Sequence, residues 1–177
     1  MSDEYTGKVV WITGGGTGIG RALALEYAER GADVAVSGRR LSKLEAAVDE
    51  IEERGTAGLA VQCDVTEEEQ VEAAVAEVVD ELGRLDVAIA NAGFAVSGTV
   101  EDLDAETWRR QLDVNVVGVA ITAKHSLPEL RKTGGRLALM GSVAGTVSMP
   151  SETAYSASKY AVRSIGQSLS IQLEGSS

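Results

Sequence analysis

Tyr155 and Lys159 stand four residues apart in Tyr155-Ser156-Ala157-Ser158-Lys159, and Ser142 lies 13 residues upstream of the tyrosine. On a helix, side chains at i and i+4 project from the same face. A phenol titrates near about 10, which makes it a poor acid or base at neutral pH. A neighbouring ammonium stabilises the phenolate and brings proton transfer within reach. The pair is therefore a candidate general acid/base unit. The same spacing also arises in helices that only pack, so the assignment needs support from elsewhere in the chain.

That support lies near the N-terminus, in Thr13-Gly14-Gly15-Gly16-Thr17-Gly18-Ile19-Gly20. Before it runs Lys8-Val9-Val10-Trp11-Ile12, apolar enough to be a buried parallel strand. After it comes Arg21–Arg30, rich in Ala, Leu and Glu, a helix that Gly31 would end. Glycines permit positive φ and close backbone approach, and a helix N-terminus offers free N–H groups to a pyrophosphate. Gly14, Gly16, Thr17, Gly18, Ile19 and Gly20 are thus candidate cofactor-binding residues. Glycines also serve ordinary turns; the placement between a buried strand and a helix is what favours the binding reading. For Ile19, a plain core position is the competing assignment.

With both ends in view, the chain resembles the short-chain dehydrogenase/reductase family from about residue 6 onward. The family's Thr-Gly-x-x-x-Gly-x-Gly motif matches at Thr13, Gly14, Gly18 and Gly20. Its Asn-Ala-Gly motif matches at Asn91-Ala92-Gly93, with Ala90 where an asparagine is commoner. Its active-site Asn is similar to Asn115, and its catalytic Ser, Tyr and Lys to Ser142, Tyr155 and Lys159. In the family, the tyrosine helix is followed by a further parallel strand, a mobile substrate loop and usually a last strand. This sequence stops at Glu174-Gly175-Ser176-Ser177, so the reading is of residues 1–177 as a single NAD(P)-binding domain truncated at its C-terminus.

The elements that must position these residues alternate strand and helix, which argues an α/β, doubly wound parallel sheet (a Rossmann fold). Strands are predicted at Val9–Thr13, Asp33–Ser37, Gly58–Gln62, Leu85–Ala90 and Arg136–Met140. Helices are predicted at Gly18–Arg30, Leu41–Arg54, Glu67–Leu82, Ala105–Gln111, Asp113–Lys132 and Ser151–Leu173. Leu41, Leu44, Val48 and Ile51 form a stripe at helical spacing, as do Val71, Val75, Val78 and Leu82. Thr66 with Glu69 reads as a capping box. The expected strand order is 3-2-1-4-5, with the last one or two family strands absent and the cofactor at the switch point between strands 1 and 4. Strand Arg136–Met140 would then be an apolar sheet edge, prone to association unless something covers it.

At 177 residues and 44% hydrophobic content with two prolines, the chain reads as globular. Its formal net charge of −11 argues against a nucleic-acid partner, whose phosphates need Lys/Arg surfaces. The acid concentrates in two predicted outer helices, Glu45–Glu53 and Glu67–Glu81, and reads as a solvated face. The lone Cys63 allows no intrachain disulfide, which fits a reducing compartment, and it closes a predicted buried strand. No apolar run approaches the length of about 18 residues that a membrane span requires, and no signal-peptide pattern is present, so a cytoplasmic location is expected. No metal is implied, and His125 reads as a packed or surface residue.

After the second strand the chain has Ser37-Gly38-Arg39-Arg40, with no acid to bind the ribose hydroxyls of NAD. Arg39 can grip a 2′-phosphate with its planar fork, with Arg40 beside it, so NADP(H) is favoured and NAD(H) is the alternative. The plainer reading makes both arginines solvated loop charges. The resemblance implies that Asp64 and Val65 contact adenine and that Asn91, Ala92 and Gly93 line the cofactor crevice. It implies hydride transfer on an alcohol/ketone pair, with Tyr155 moving the proton. Lys159 would stabilise the phenolate and bond the nicotinamide ribose, Ser142 would hold the substrate oxygen, and Asn115 would support a water-linked proton path. It also implies a homodimer through the helices carrying Asn115 and Tyr155. Pocket walls would come from residues 94–98 and 143–151, whose Val96, Val143, Val147 and Met149 point to an apolar substrate. The alternative function is a non-catalytic or truncated nucleotide-binding module; an epimerase or dehydratase of the wider superfamily fits the spacings less well.

Overall fold

Every residue of β1 (Val9–Thr13) is buried, as expected of a central strand covered on both faces. Alternate side chains feed two separate cores. Val9 and Trp11 pack with residues of α3 (Glu68–Leu82), among them Val71, Val75 and Val78, and with Leu130 of α5 (Gly118–Thr133). Val10 and Ile12 pack on the other face with Ala24 and Ala28 of α1 (Gly18–Glu29) and Leu44, Ala47 and Ile51 of α2 (Leu41–Glu52). The computed structural model describes residues 4–174. The remaining strands are β2 (Asp33–Gly38), β3 (Gly58–Gln62), β4 (Val87–Ala90) and β5 (Arg136–Leu139), and the remaining helices are α4 (Ala105–Leu112) and α6 (Thr153–Glu174). The five strands pair in parallel in the order β3-β2-β1-β4-β5, as the sequence predicts. The order reverses between β1 and β4, which opens a crevice at the carboxyl ends of those strands.

Most expected elements appear within a residue or two, and the differences have local causes. β4 begins at Val87 because Asp86 spends its carboxylate on the Val9 N–H, 3.0 Å away, as well as on Lys8 and Arg84. β5 ends at Leu139 because the next carbonyl, that of Met140, accepts from Lys159 Nζ at 2.7 Å. α6 starts at Thr153, since Gly98 N–H takes the Ser151 carbonyl at 2.7 Å and bridges to Glu152. The long helix expected from Asp113 opens with a π turn, Asp113–Val117, before α5. The capping box is overturned. Glu67 is the N-cap of α3 and makes no side-chain cap bond. The Thr66 hydroxyl and N–H instead donate to Asp64 Oδ1, because a carboxylate two residues back offers a tighter local turn.

Candidate active site

The loop leaving β1 packs its backbone closely against α1 and the residues after β4. Gly14 has φ of +67°, and a Cβ on Gly20 would sit 2.3 Å from the Gly14 carbonyl oxygen and 2.5 Å from Asn91 Nδ2. Gly15 N–H is held by the Ser37 carbonyl at 3.1 Å. Thr17, the N-cap of α1, leaves the first helical N–H groups without a side-chain acceptor, so they face the crevice as an anion cradle. Asn91 ties the loop to β4 by donating to the Thr13 carbonyl at 2.9 Å, and Thr13 Oγ1 accepts from the N–H groups of Asn91 and Ala92. Ile19 is 65% exposed on the crevice wall, which removes the core reading. These features fit a dinucleotide's pyrophosphate: small residues, positive φ and unsatisfied donors converge at the switch point.

A single cleft of about 760 Å³ runs past this loop. At the β2–β3 end its wall holds Arg39, Arg40, Asp64 and Val65, with Lys43 and Leu44 from α2. Arg39 Nη1 lies 3.8 Å from Asp64 Oδ2, and Arg40 Nη2 lies 3.5 Å from Thr17 Oγ1. Asp64 is thus divided between its own turn and Arg39. Cys63 also borders the cleft, but burial pushes its thiol up to about 11, and the adjacent Asp64 charge adds to that, so it stays a thiol.

At the other end the cleft brings together Ser142, Tyr155 and Lys159 with Gly93, Phe94, Ala95, Val114 and Met140. The helical spacing of Tyr155 and Lys159 does place them together: Lys159 Nζ is 5.8 Å from the tyrosine ring centroid. Lys159 is only 5% exposed, and burial pushes its ammonium below the ordinary lysine value. Ser142 Oγ accepts from Ala144 N–H at 3.2 Å, which orients it at the start of a short 3₁₀ turn. Of the catalytic and cofactor candidates only Asn115 does not line the cleft, and of the expected pocket walls Phe94 and Ala95 line it while Val96, Val143, Val147 and Met149 do not. Fully buried in the π turn, Asn115 accepts from Phe94 N–H at 3.0 Å and donates to the Phe94 carbonyl at 2.8 Å and Ser158 Oγ at 3.1 Å. Ser158 in turn donates to the Tyr155 carbonyl at 2.7 Å. Asn115 therefore holds the loop after β4 against the tyrosine helix. Its place in a π turn has no periodicity signal in the sequence.

Other contributors have little sequence signal. Gln111 donates to the Phe94 carbonyl at 2.8 Å, and the Arg110 guanidinium stacks 5.4 Å from the Phe94 ring centre. Both sit on α4, which carries no recognisable motif. His125 sits at the α3–α5 surface, 3.0 Å from Glu68 and away from the cleft. Among the described residues no cluster of His, Cys, Asp or Glu could hold a metal ion.

The short chain dehydrogenase family model matches residues 8–176, and the chain belongs to that family. A hydroxysteroid relative, the 3β-hydroxysteroid dehydrogenase of Mediterraneibacter gnavus, is 36% identical over 95% of this chain and 61% of its own length. The hydroxynaphthalene reductase-like protein of Metarhizium robertsii is 36% identical over 95% of this chain and 63% of its own. A short-chain type dehydrogenase/reductase from Mycobacterium marinum superposes with a TM-score of 0.92 at 34% identity, over 98% of this chain and 72% of that structure. An NAD⁺-bound xylitol dehydrogenase does so at 0.94 and 32%, over 97% and 67%. The chain spans between half and about three fifths of the length of the curated relatives it matches.

Proposed function

We propose that this chain carries the cofactor cleft and proton-transfer residues of an NADP-dependent oxidoreductase acting on an alcohol/ketone pair. The observation that carries the reading is one continuous cleft, with a glycine-built anion cradle at its centre and Ser142, Tyr155 and Lys159 grouped at one end. A nicotinamide dinucleotide bound there supplies the hydride exchanged with the substrate carbon. The Tyr155 hydroxyl gives its proton to the substrate oxygen in reduction and takes one from the alcohol in oxidation. Lys159, fixed by the Met140 carbonyl, stabilises the phenolate form with its charge. The Ser142 hydroxyl donates to the substrate oxygen as charge builds on it. Asn115 keeps the loop after β4 in register with the helix bearing Tyr155.

Arg39 and Arg40, in a stretch without an acid, favour the 2′-phosphate of NADP, although the xylitol dehydrogenase neighbour is named as NAD⁺-bound. Val143, Val147 and Met149 are exposed at 74%, 57% and 43% beside the proton-transfer end. They favour an apolar substrate, in keeping with relatives named for hydroxysteroids and hydroxynaphthalenes. A homodimer through α5 and α6 completes the reading, and no described helix is long and apolar enough to cross a membrane.

The test is a titration with NADPH and NADH, followed by ketone reduction with the wild type and Tyr155→Phe. The expected result is preferential NADPH binding by both proteins, with turnover falling by about 10²–10⁴ in the variant. Binding without turnover in the wild type would favour a non-catalytic nucleotide-binding module.

A further inference from the structure

The charged residues on the cleft wall are five cations (Arg39, Arg40, Lys43, Arg110 and Lys159) and one carboxylate, Asp64, in a chain of net charge −11. The proposed function uses three of the cations, Arg39, Arg40 and Lys159. Arg39, Arg40 and Lys43 gather at the β2 end, where Asp64 also lies, and Lys159 is held by the Met140 carbonyl. Arg110 stands apart from these. It reaches the other end of the cleft from α4, and no acid pairs with it among the described residues.

Its position is fixed from beneath. The guanidinium lies over Phe94, whose N–H and carbonyl are clamped by Asn115 and whose carbonyl also takes Gln111. Asn115 continues through Ser158 to the Tyr155 backbone. Arg110 is therefore an oriented cation on the scaffold that positions the proton-transfer tyrosine. A cation in the last turn of a helix also complements the helix dipole. Arg109 serves that purpose equally and is absent from the cleft wall. Exposed apolar side chains border the same end of the fold, since Val143 follows Ser142 and the Met149 N–H donates to Ser156 Oγ, next to Tyr155.

We infer that Arg110 recognises an anionic group on the substrate, so that the substrates of this cleft are hydroxy or oxo compounds with an apolar body and a carboxylate. The guanidinium fork is matched to a carboxylate, and Phe94 keeps it oriented when no substrate is present. This rests on the oxidoreductase reading above.

The test is calorimetric binding of benzoylpropionate, an aryl ketone with a carboxylate, and of its neutral methyl ester, to the chain saturated with NADP⁺. Neither ketone can be reduced by the oxidised cofactor, so binding is read without turnover. The wild type is expected to favour the carboxylate by about tenfold. Arg110→Met should abolish that preference while keeping NADP⁺ and ester affinity within about twofold, and Arg110→Lys should keep part of it. Arg110 is exposed, so the variants are expected to fold, with circular dichroism as the check. Equal wild-type affinities, or a variant that weakens both ketones or NADP⁺ alike, would overturn the inference and leave Arg110 as a brace for Phe94. A chain that binds no NADP⁺ refutes both this inference and the reading beneath it; one that reduces the ester with NADPH but shows no carboxylate preference refutes the inference alone.

Discussion

Arg39 shows how two demands meet on one side chain. Its guanidinium lies 3.8 Å from Asp64 while remaining 65% exposed at the mouth of the cleft. An exposed pair of this kind contributes little to stability, so the arginine is free to turn to a stronger anion. Arg39→Ala is expected to weaken NADPH binding by about tenfold and leave NADH binding nearly unchanged, measured by nicotinamide fluorescence. Unaltered NADPH affinity would return Arg39 to the role of a solvated charge. Lys159 obeys the opposite logic: burial disfavours its charge, and a single carbonyl compensates it. Such a cation is costly to fold around, which marks Lys159 as a candidate functional residue.

Among the elements, the junction of β1, β4 and β5 depends on Asp86, which is 4% exposed. Burial by itself would raise its carboxyl. The Arg84 fork, the Val9 N–H and Lys8 together outweigh that and hold it below the ordinary value. A depressed carboxyl contributes stability that is present above its unfolded value and lost as pH falls through the folded one, here below about 3.8. Asp86→Asn is expected to cost about 2 kcal/mol at neutral pH, where the charge-assisted bonds are lost. The same variant should also flatten the acid limb of the stability profile, so urea unfolding at neutral pH and near pH 3 should show the two proteins converging. A parallel fall of both with acid would exclude this role. The π turn before α5 matters in the same way: by breaking the i→i+4 pattern it turns Asn115 inward against Phe94 and Ser158.

For the molecule as a whole, the sheet has two margins, β3 and β5, and β5 is the one next to the site. Arg136 and Ala138 are exposed there, while Leu137 and Leu139 turn toward the core. Among the described residues no strand pairs with its outer side. An unpaired edge with little charge is a template for association. Ala138→Lys should reduce self-association of this chain by about tenfold, read by sedimentation velocity over a concentration series. Association that is unchanged by the lysine would locate the contact elsewhere, with the faces of α5 and α6 the next to test.

The sequence by itself determined the parallel sheet, its strand order, the glycine cradle and the Tyr155–Lys159 pair. The strands, the glycine loop and the Tyr155–Lys159 pair rest on short-range regularity (buried runs, helical stripes, residues at fixed spacing within one loop or helix), whereas the strand order follows from the doubly wound class that the alternation of elements and the family resemblance imply. It misplaced the cap of α3 because the Asp64 carboxylate, two residues back, takes the Thr66 hydroxyl and N–H. Only the tertiary structure decided what depends on elements distant in sequence. It placed Asn115 behind the cleft wall and not on it, bonded Lys159 to the end of β5, and brought Arg110 and Gln111 of α4 onto Phe94. Those contacts join residues 16 to 21 positions apart, and no periodicity records them, because packing of whole elements, and not local propensity, sets which side chains meet.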